Sequence, residues 1–239
     1  MLSIEQPEKK PESSIPRGEH GNYHAKYNVL DLETLRLDVE VGGWSTESVR
    51  KMGISCCIMH SFDRIDDEPD RNLYLDCSAI KLSKDEIYNI FDHQFQIYDI
   101  QHLFFHLAGI TTEKKLLIGH NIIKFDMEVM HGTFAELGLL SEFMKSGIPS
   151  PLIEHMMLVD TMTGFGRRVK LDDLAWEVLG RGKSGNGALA PINWKDGKYE
   201  EVIKYCDNDV QLTADIYREY LKNGHVKFKG RRYWTGWRM

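Results

Sequence analysis

The chain is poor in cysteine, with four in 239 residues: Cys56, Cys57, Cys77 and Cys206. None stands in a C-x-x-C pair. That argues against a structural zinc site and a disulfide framework, and points to a reducing, cytoplasmic setting. Long apolar runs are missing too. No stretch approaches the ~20 apolar residues that cross a bilayer. The opening segment, MLSIEQPEKKPESSIPRGEHG, lacks the apolar centre of a secretory leader, so no membrane partner is expected. There is no surplus of positive charge either. The formal net charge is −6, so any contact with nucleic acid must come from a local basic patch. Proline is scarce, and three of the seven prolines fall within residues 1–26. That segment is charged and has few large apolar side chains. It reads as a flexible or loosely docked tail, leaving 27–239 as one domain.

A nucleotide-binding loop is also absent. GRGKSGNG at 180–187 contains Gly182, Lys183 and Ser184, but a Walker loop needs glycine five residues before Gly182, and Glu177 stands there. The stretch follows a helical segment rather than a strand, which excludes ATP binding of that kind. A flexible loop that brings Lys183 to a substrate phosphate is the remaining functional reading. His102 and His106 are four apart without an acidic partner, so they read as a packed or surface pair rather than zinc ligands.

The sequence has three early strand segments: one near 27–32, MGISCCIMHSF, and LYLDC. The last two are joined by a polar loop that suits a hairpin. Ser83 with Glu86 forms a capping box, and Ile87, Ile90, Phe91, Phe95, Tyr98, Leu103 and Leu107 recur at helical spacing. KLLIGHN and HMMLVDT read as further strands. DMEVMHGTFAELGLL reads as a helix interrupted near Gly132, LDDLAWEVLG as a helix capped by Gly180, and Tyr199 to Leu221 as a long helix. The end, GHVKFKGRRYWTGWRM, suits a short basic hairpin. Three strands followed by alternating strands and helices predict an α/β fold: a mixed sheet flanked by helices, antiparallel first and parallel later.

The segment NVLDLET at 28–34 holds two carboxylates two residues apart. On a strand, Asp31 and Glu33 point the same way, about 7 Å apart. Like charges so placed repel, and a cation is needed to make the arrangement tolerable. Two further acidic stretches offer to join them. Asp126 sits where a strand and loop give way to a helix. In YCDNDVQLTADIY, Asp209 lies four residues after Tyr205, about 40° around the helix and on the same face, whereas Asp207 lies about 200° around. Asp207 is expected to face solvent. Four converging carboxylates suit a pair of hard divalent ions, magnesium or manganese. Such a pair serves phosphoryl displacement, with Tyr205 placed to orient a water.

DLET, HNIIKFD and YCDND resemble the three motifs of the DEDD superfamily of 3′–5′ exonucleases, whose fold is RNase H-like. Asp31 and Glu33 match the first motif. Asn121, Phe125 and Asp126 match the second. Tyr205 and Asp209 match the third in its tyrosine form, since Lys204 stands where the histidine branch needs histidine. VDTM at 159–162 and the LDDLAWEVLG helix also have counterparts, and the resemblance covers about residues 27–222. It implies release of nucleotides from the 3′ end of single-stranded or 3′-ended DNA or RNA, with two Mg²⁺ or Mn²⁺ ions on Asp31, Glu33, Asp126 and Asp209. Tyr205 would align the attacking water. Thr34, Leu35, Asn121 and Lys183 would contact substrate, and the resemblance implies a helicase or polymerase partner. The rival readings are a non-catalytic nucleic-acid-binding or docking module, and an RNase H-like endonuclease. Trp44 and the C-terminal aromatics Tyr233, Trp234 and Trp237 are open between core packing and base stacking. His120 is expected to be buried and hydrogen-bonded rather than a general base.

Overall fold

A computed structural model describes residues 26–76, 80–91, 94–140, 157–162, 165 and 167–233. Nearly all of the expected tail, Cys77, and the terminal Trp234, Trp237 and Arg238 lie outside the described residues. The sheet is organised around β1 (Tyr27–Thr34), which pairs antiparallel with β2 (Ile54–Phe62) and parallel with β5 (Leu116–Gly119). β3 (Asp70–Leu75) folds back on β2 through the polar loop, as the hairpin reading expects. β4 (Gln96–Asp99) and β6 (Met157–Asp160) add parallel to β3 and β5, giving the order β4-β3-β2-β1-β5-β6. Every residue of β2 is buried, as a strand covered on both faces must be.

Alternation along β1 sorts its side chains. Val29 joins Cys56, Ile58, Leu73 and Ile118 in one apolar cluster, while Leu30 and Leu32 join Cys57, Met59 and Leu117 in the other. Period two therefore puts Asp31 and Glu33 on the Val29 face. That face is covered mainly by α8 (Tyr199–Asn223), through Tyr199, Val202, Ile203, Cys206 and Val210. The opposite face is covered by α2 (Thr46–Arg50), α4 (Ile100–Thr112) and α5 (Asp126–Glu136). α6 (Leu171–Leu179) packs beside α8, and α7 (Ala190–Lys195) leads into it.

Two sequence expectations are corrected. The apolar run from Ile87 to Leu107 is not one helix. α3 (Lys84–Ile90) starts at the Ser83–Glu86 capping box and ends at Phe91. β4 intervenes, and α4 begins at Asp99, whose carboxylate accepts from Gln101 N at 3.0 Å. Helical spacing lost here because Ile97 and Tyr98 complete the open edge of β3, and Asp99 is a strong N-cap. Nor does Gly132 interrupt its helix. α5 runs through it, and a Cβ there would lie 1.8 Å from the Arg50 carbonyl oxygen. The glycine lets α5 lie against α2, beside the Arg50–Glu128 ion pair at 2.6 Å. α1 (Asp38–Val41) closes the turn after β1. The C-terminal hairpin is present as β7 (Val226–Phe228) and β8 (Arg231–Tyr233). Phe228 and Tyr233 pack on Phe165 at 5.5 and 4.6 Å, so those aromatics are core, and Lys227, Lys229, Arg231 and Arg232 stay exposed. Among the described residues no helix is long and apolar enough to cross a membrane.

Candidate metal centre

α8 runs across β1 so that its middle turns meet the acidic positions of the strand. Asp31, Glu33 and Asp209 each bring a carboxylate oxygen within 4.8 Å of the other two. Tyr205, one turn before Asp209 on the same face, is 8% exposed. Asp207 lies off this face, but it does not simply face water. It accepts from His60 Nε2 at 2.7 Å and pairs with Arg71 at 3.5 Å, which ties α8 to β2 and β3 two residues from Asp209. Sequence reasoning missed that tie, because a histidine inside an apolar strand carries no pairing signal.

Asp126 starts α5 and is 2% exposed. It lies outside the mutual 4.8 Å group, yet the charge of Asp31 acts on its carboxyl. One oxygen of Asp126 and one of Asp209 are buried without a hydrogen-bond partner among the described residues. Unpaired buried carboxylate oxygens are costly, and they are the donor type that hard divalent ions bind. The residues present therefore fit a hard divalent cation.

The electrostatics carry the same message. Burial, then the Asp209 charge, push the Asp31 carboxyl up to about 8, against the pull of Lys183. Glu33 is driven well above the carboxylate range by burial and then by Asp31. Burial raises Asp126, with Asp31 adding to it, and burial raises Asp209 against the opposing effect of Lys183. Without a cation of high charge, the cluster holds protons that water-exposed acids would release.

The positive charge that the sequence demands is supplied in part by the protein. Lys183 Nζ pairs with Asp209 Oδ2 and donates to the Tyr205 hydroxyl at 2.8 Å. Burial by itself would lower the lysine's pKa, but Asp209 and Asp31 outweigh burial and hold it charged. Burial and Asp209 keep the Tyr205 phenol protonated. The glycines around Lys183 explain how it arrives there. A Cβ on Gly182 would sit 2.2 Å from Asp172 Oδ1, and the Lys183 amide donates to that oxygen at 2.8 Å. Cβ atoms on Gly185 and Gly187 would press on the Tyr205 ring and hydroxyl at 3.1 Å. The loop that resembles a phosphate loop is thus a close-fitting clasp on Tyr205, and its lysine points into the carboxylates.

The turn between β5 and α5 is braced by Asp160, a residue that the sequence reading passed over. Its buried carboxylate accepts from the amides of Asn121 at 2.9 Å, Ile123 at 3.3 Å and Met162 at 2.9 Å. Asn121 takes φ 63°, a left-handed conformation that asparagine tolerates better than most residues. His120 is hydrogen-bonded at both ring nitrogens, as expected, though half-buried rather than fully buried. Its Nε2 must donate to the Val169 carbonyl at 2.8 Å, so its Nδ1 accepts from the Thr161 hydroxyl at 2.8 Å. Burial lowers its pKa to about 4, fixing that neutral tautomer. At the end of β1 a bulge falls between Glu33 and Thr34, and the Leu35 amide is spent on the Gly53 carbonyl at 3.1 Å. Trp44 is 65% exposed, with its ring 6.1 Å from that of Phe125, beside Asp126.

A family model described as 3′-5′ exonuclease matches residues 71–224, more than half of the chain. The matched span holds Asp126, Lys183, Tyr205 and Asp209 and begins after β1. No curated protein matches the chain.

Proposed function

The chain belongs to the 3′-5′ exonuclease domain family, with the RNase H-like mixed sheet of that family, and we propose that it is a metal-dependent exonuclease of the tyrosine branch, shortening DNA or RNA from the 3′ end. The observation that carries this reading is the meeting of Asp31, Glu33 and Asp209 within 4.8 Å, with Tyr205 one turn away. Asp31, Glu33, Asp126 and Asp209 would hold two Mg²⁺ or Mn²⁺ ions. Such ions supply an ionised water at neutral pH and stabilise both the attacking and the leaving oxygens of a phosphodiester.

The protein's own residues do the rest. Tyr205 stays a phenol, so its O–H remains a donor able to fix a water beside Asp209. Lys183 neutralises Asp209. Once a substrate phosphate enters, its ammonium is the nearest protein cation for a non-bridging oxygen. Thr34 and Asn121 flank the carboxylates on two different elements and bound the space for the terminal nucleotide. Residues 27–239 act as one catalytic domain, with the exposed cations of the β7–β8 hairpin contacting backbone phosphates without base readout.

The test is digestion of 5′-labelled DNA and RNA oligonucleotides with Mg²⁺ or Mn²⁺, beside 3′-blocked and circular single strands. Shortening of free 3′ ends alone supports the reading. Cutting of circles would make the chain an endonuclease, and inertness towards every substrate would leave it a binding module.

A further inference from the structure

Past the end of β1, on the side away from Asp126, a pocket of about 380 Å³ opens between β1, α7 and α8. Leu35, Arg36 and Glu40 line one wall, Lys81 another, and Trp194, Lys195 and Tyr199 the third. Three cations therefore face one carboxylate. That carboxylate is already engaged: Glu40 accepts from Lys195 at 2.5 Å and from the Leu37 amide at 2.7 Å. Arg36 spends one Nη1–H on the Lys51 carbonyl at 2.5 Å, which fixes the guanidinium and leaves its other donors for the pocket. The Trp194 indole is 3% exposed, and its N–H has no acceptor among the described residues. That nitrogen is sealed from solvent, so the indole serves the pocket as a wall rather than as a donor.

A net-positive pocket with a tightly held guanidinium is suited to a phosphate group. Its position also fits. Arg36 is three residues beyond Glu33, so at most roughly 10 Å from it along the chain. Tyr199 is six residues before Tyr205, about 9 Å along the helix. Stacked nucleotides advance about 3.4 Å per step, so a strand whose scissile phosphate lies at the carboxylates has another phosphate within reach of the pocket. We infer that the Arg36–Lys81–Lys195–Trp194 pocket is a second, metal-independent anion site that holds a phosphate of the nucleic-acid strand while the carboxylate cluster holds the bond to be cut. The assignment of that phosphate to a nucleic acid rests on the exonuclease reading; the anion site itself does not.

The test uses the full chain with EDTA, so that the carboxylate cluster is metal-free. Inorganic phosphate is titrated while the indole N–H resonances of the five tryptophans are followed by NMR. One resonance, identified by its loss in Trp194→Phe, shifts and saturates, and it no longer moves in Lys81→Glu. Should Trp194→Phe not fold, the resonance whose shift Lys81→Glu abolishes serves instead. Losing one charged hydrogen bond weakens oligonucleotide binding in EDTA about tenfold, and Lys81→Arg restores it. Tighter binding of a 3′-phosphoryl than of a 3′-hydroxyl oligonucleotide identifies a terminal phosphate as the occupant. Equal affinities, both dependent on Lys81, identify an internal phosphodiester. If no indole resonance moves and Lys81→Glu binds as the wild type does, the site does not exist, even where the wild-type chain still digests 3′ ends. If the resonance moves but no digestion occurs, the anion site stands and the exonuclease reading falls.

Discussion

Lys183 and Asp209 come from a loop and a helix 26 residues apart and meet in an ion pair whose carboxylate is 2% exposed and whose ammonium also reaches Tyr205. The same ammonium lowers the cost of burying Asp31 and Glu33. In the metal-free fold Lys183 therefore offsets part of the charge of the acidic cluster, where substrate and metal would each bring charge of their own.

Replacing Lys183 with methionine should destabilise the metal-free protein by about 1–3 kcal/mol, since it strands acids that are already hard to bury. Divalent metal should then raise the thermal midpoint more in this variant than in the wild type, because the ions take over the lost charge. Thermal denaturation with EDTA and with Mg²⁺ measures both effects. A variant equally stable in EDTA, with no larger metal response, contradicts the role given to the lysine.

Asp31 carries a pH signature. Its folded pKa, about 8, lies above the ordinary 3.8, so the folded state binds more protons between those values. Stability of the metal-free chain from this group is thus lost as pH rises from about 4 to 8. Asp31→Asn should flatten that slope, stabilise the metal-free protein near pH 8, and abolish its response to Mg²⁺. Chemical denaturation across pH, with EDTA and with Mg²⁺, reads all three, and an unchanged slope would contradict the crowding of Asp31 against Asp209.

His120 acts with the opposite sign. Its folded pKa of about 4 lies below the ordinary 6.5, so the unfolded chain binds the extra proton in that window. Stability from this group is complete above pH 6.5 and falls as pH drops towards 4, by an amount on the order of 3 kcal/mol. His120→Gln keeps an N–H for the Val169 carbonyl and cannot titrate, so it should lose the acid-side decline. Comparing the two stability–pH curves isolates the histidine from the acids.

Gly182→Ala should displace the clasp on Tyr205, because the new methyl carbon would overlap Asp172 and the Trp176 indole. A cost of about 1–3 kcal/mol is expected for such overpacking. Activity should fall by more than that stability loss explains, since Lys183 moves with the loop. Circular dichroism melting beside digestion rates separates the two contributions.

The carboxylates were legible in the sequence because two periodicities are simple: two residues per strand repeat place Asp31 with Glu33, and four residues per helix step place Tyr205 with Asp209. Asp126 was legible as a helix start, but its offset from the other three is a matter of how α5 meets the sheet edge, which no spacing encodes. The glycines at 182, 185 and 187 were visible, yet their purpose was not. They are needed for close approach to side chains six to twenty residues away, and only the fold reveals what they approach. Asp160 and the His60–Asp207 tie went unread for the same reason. β4 was lost inside an apparent helix because four residues at a sheet edge are too few to break an apolar period.

The most direct test of the central claim is digestion of a 5′-labelled oligonucleotide by the wild type and by Asp126→Ala, each shown by circular dichroism to be folded, with EDTA, Mg²⁺ and Mn²⁺ in parallel. The acidic centre predicts a ladder of 3′-shortened products for the wild type with either metal and none with EDTA. It predicts no ladder for Asp126→Ala under any condition. A folded Asp126→Ala that digests as fast as the wild type in Mn²⁺, or a wild-type ladder that persists in EDTA, would contradict it.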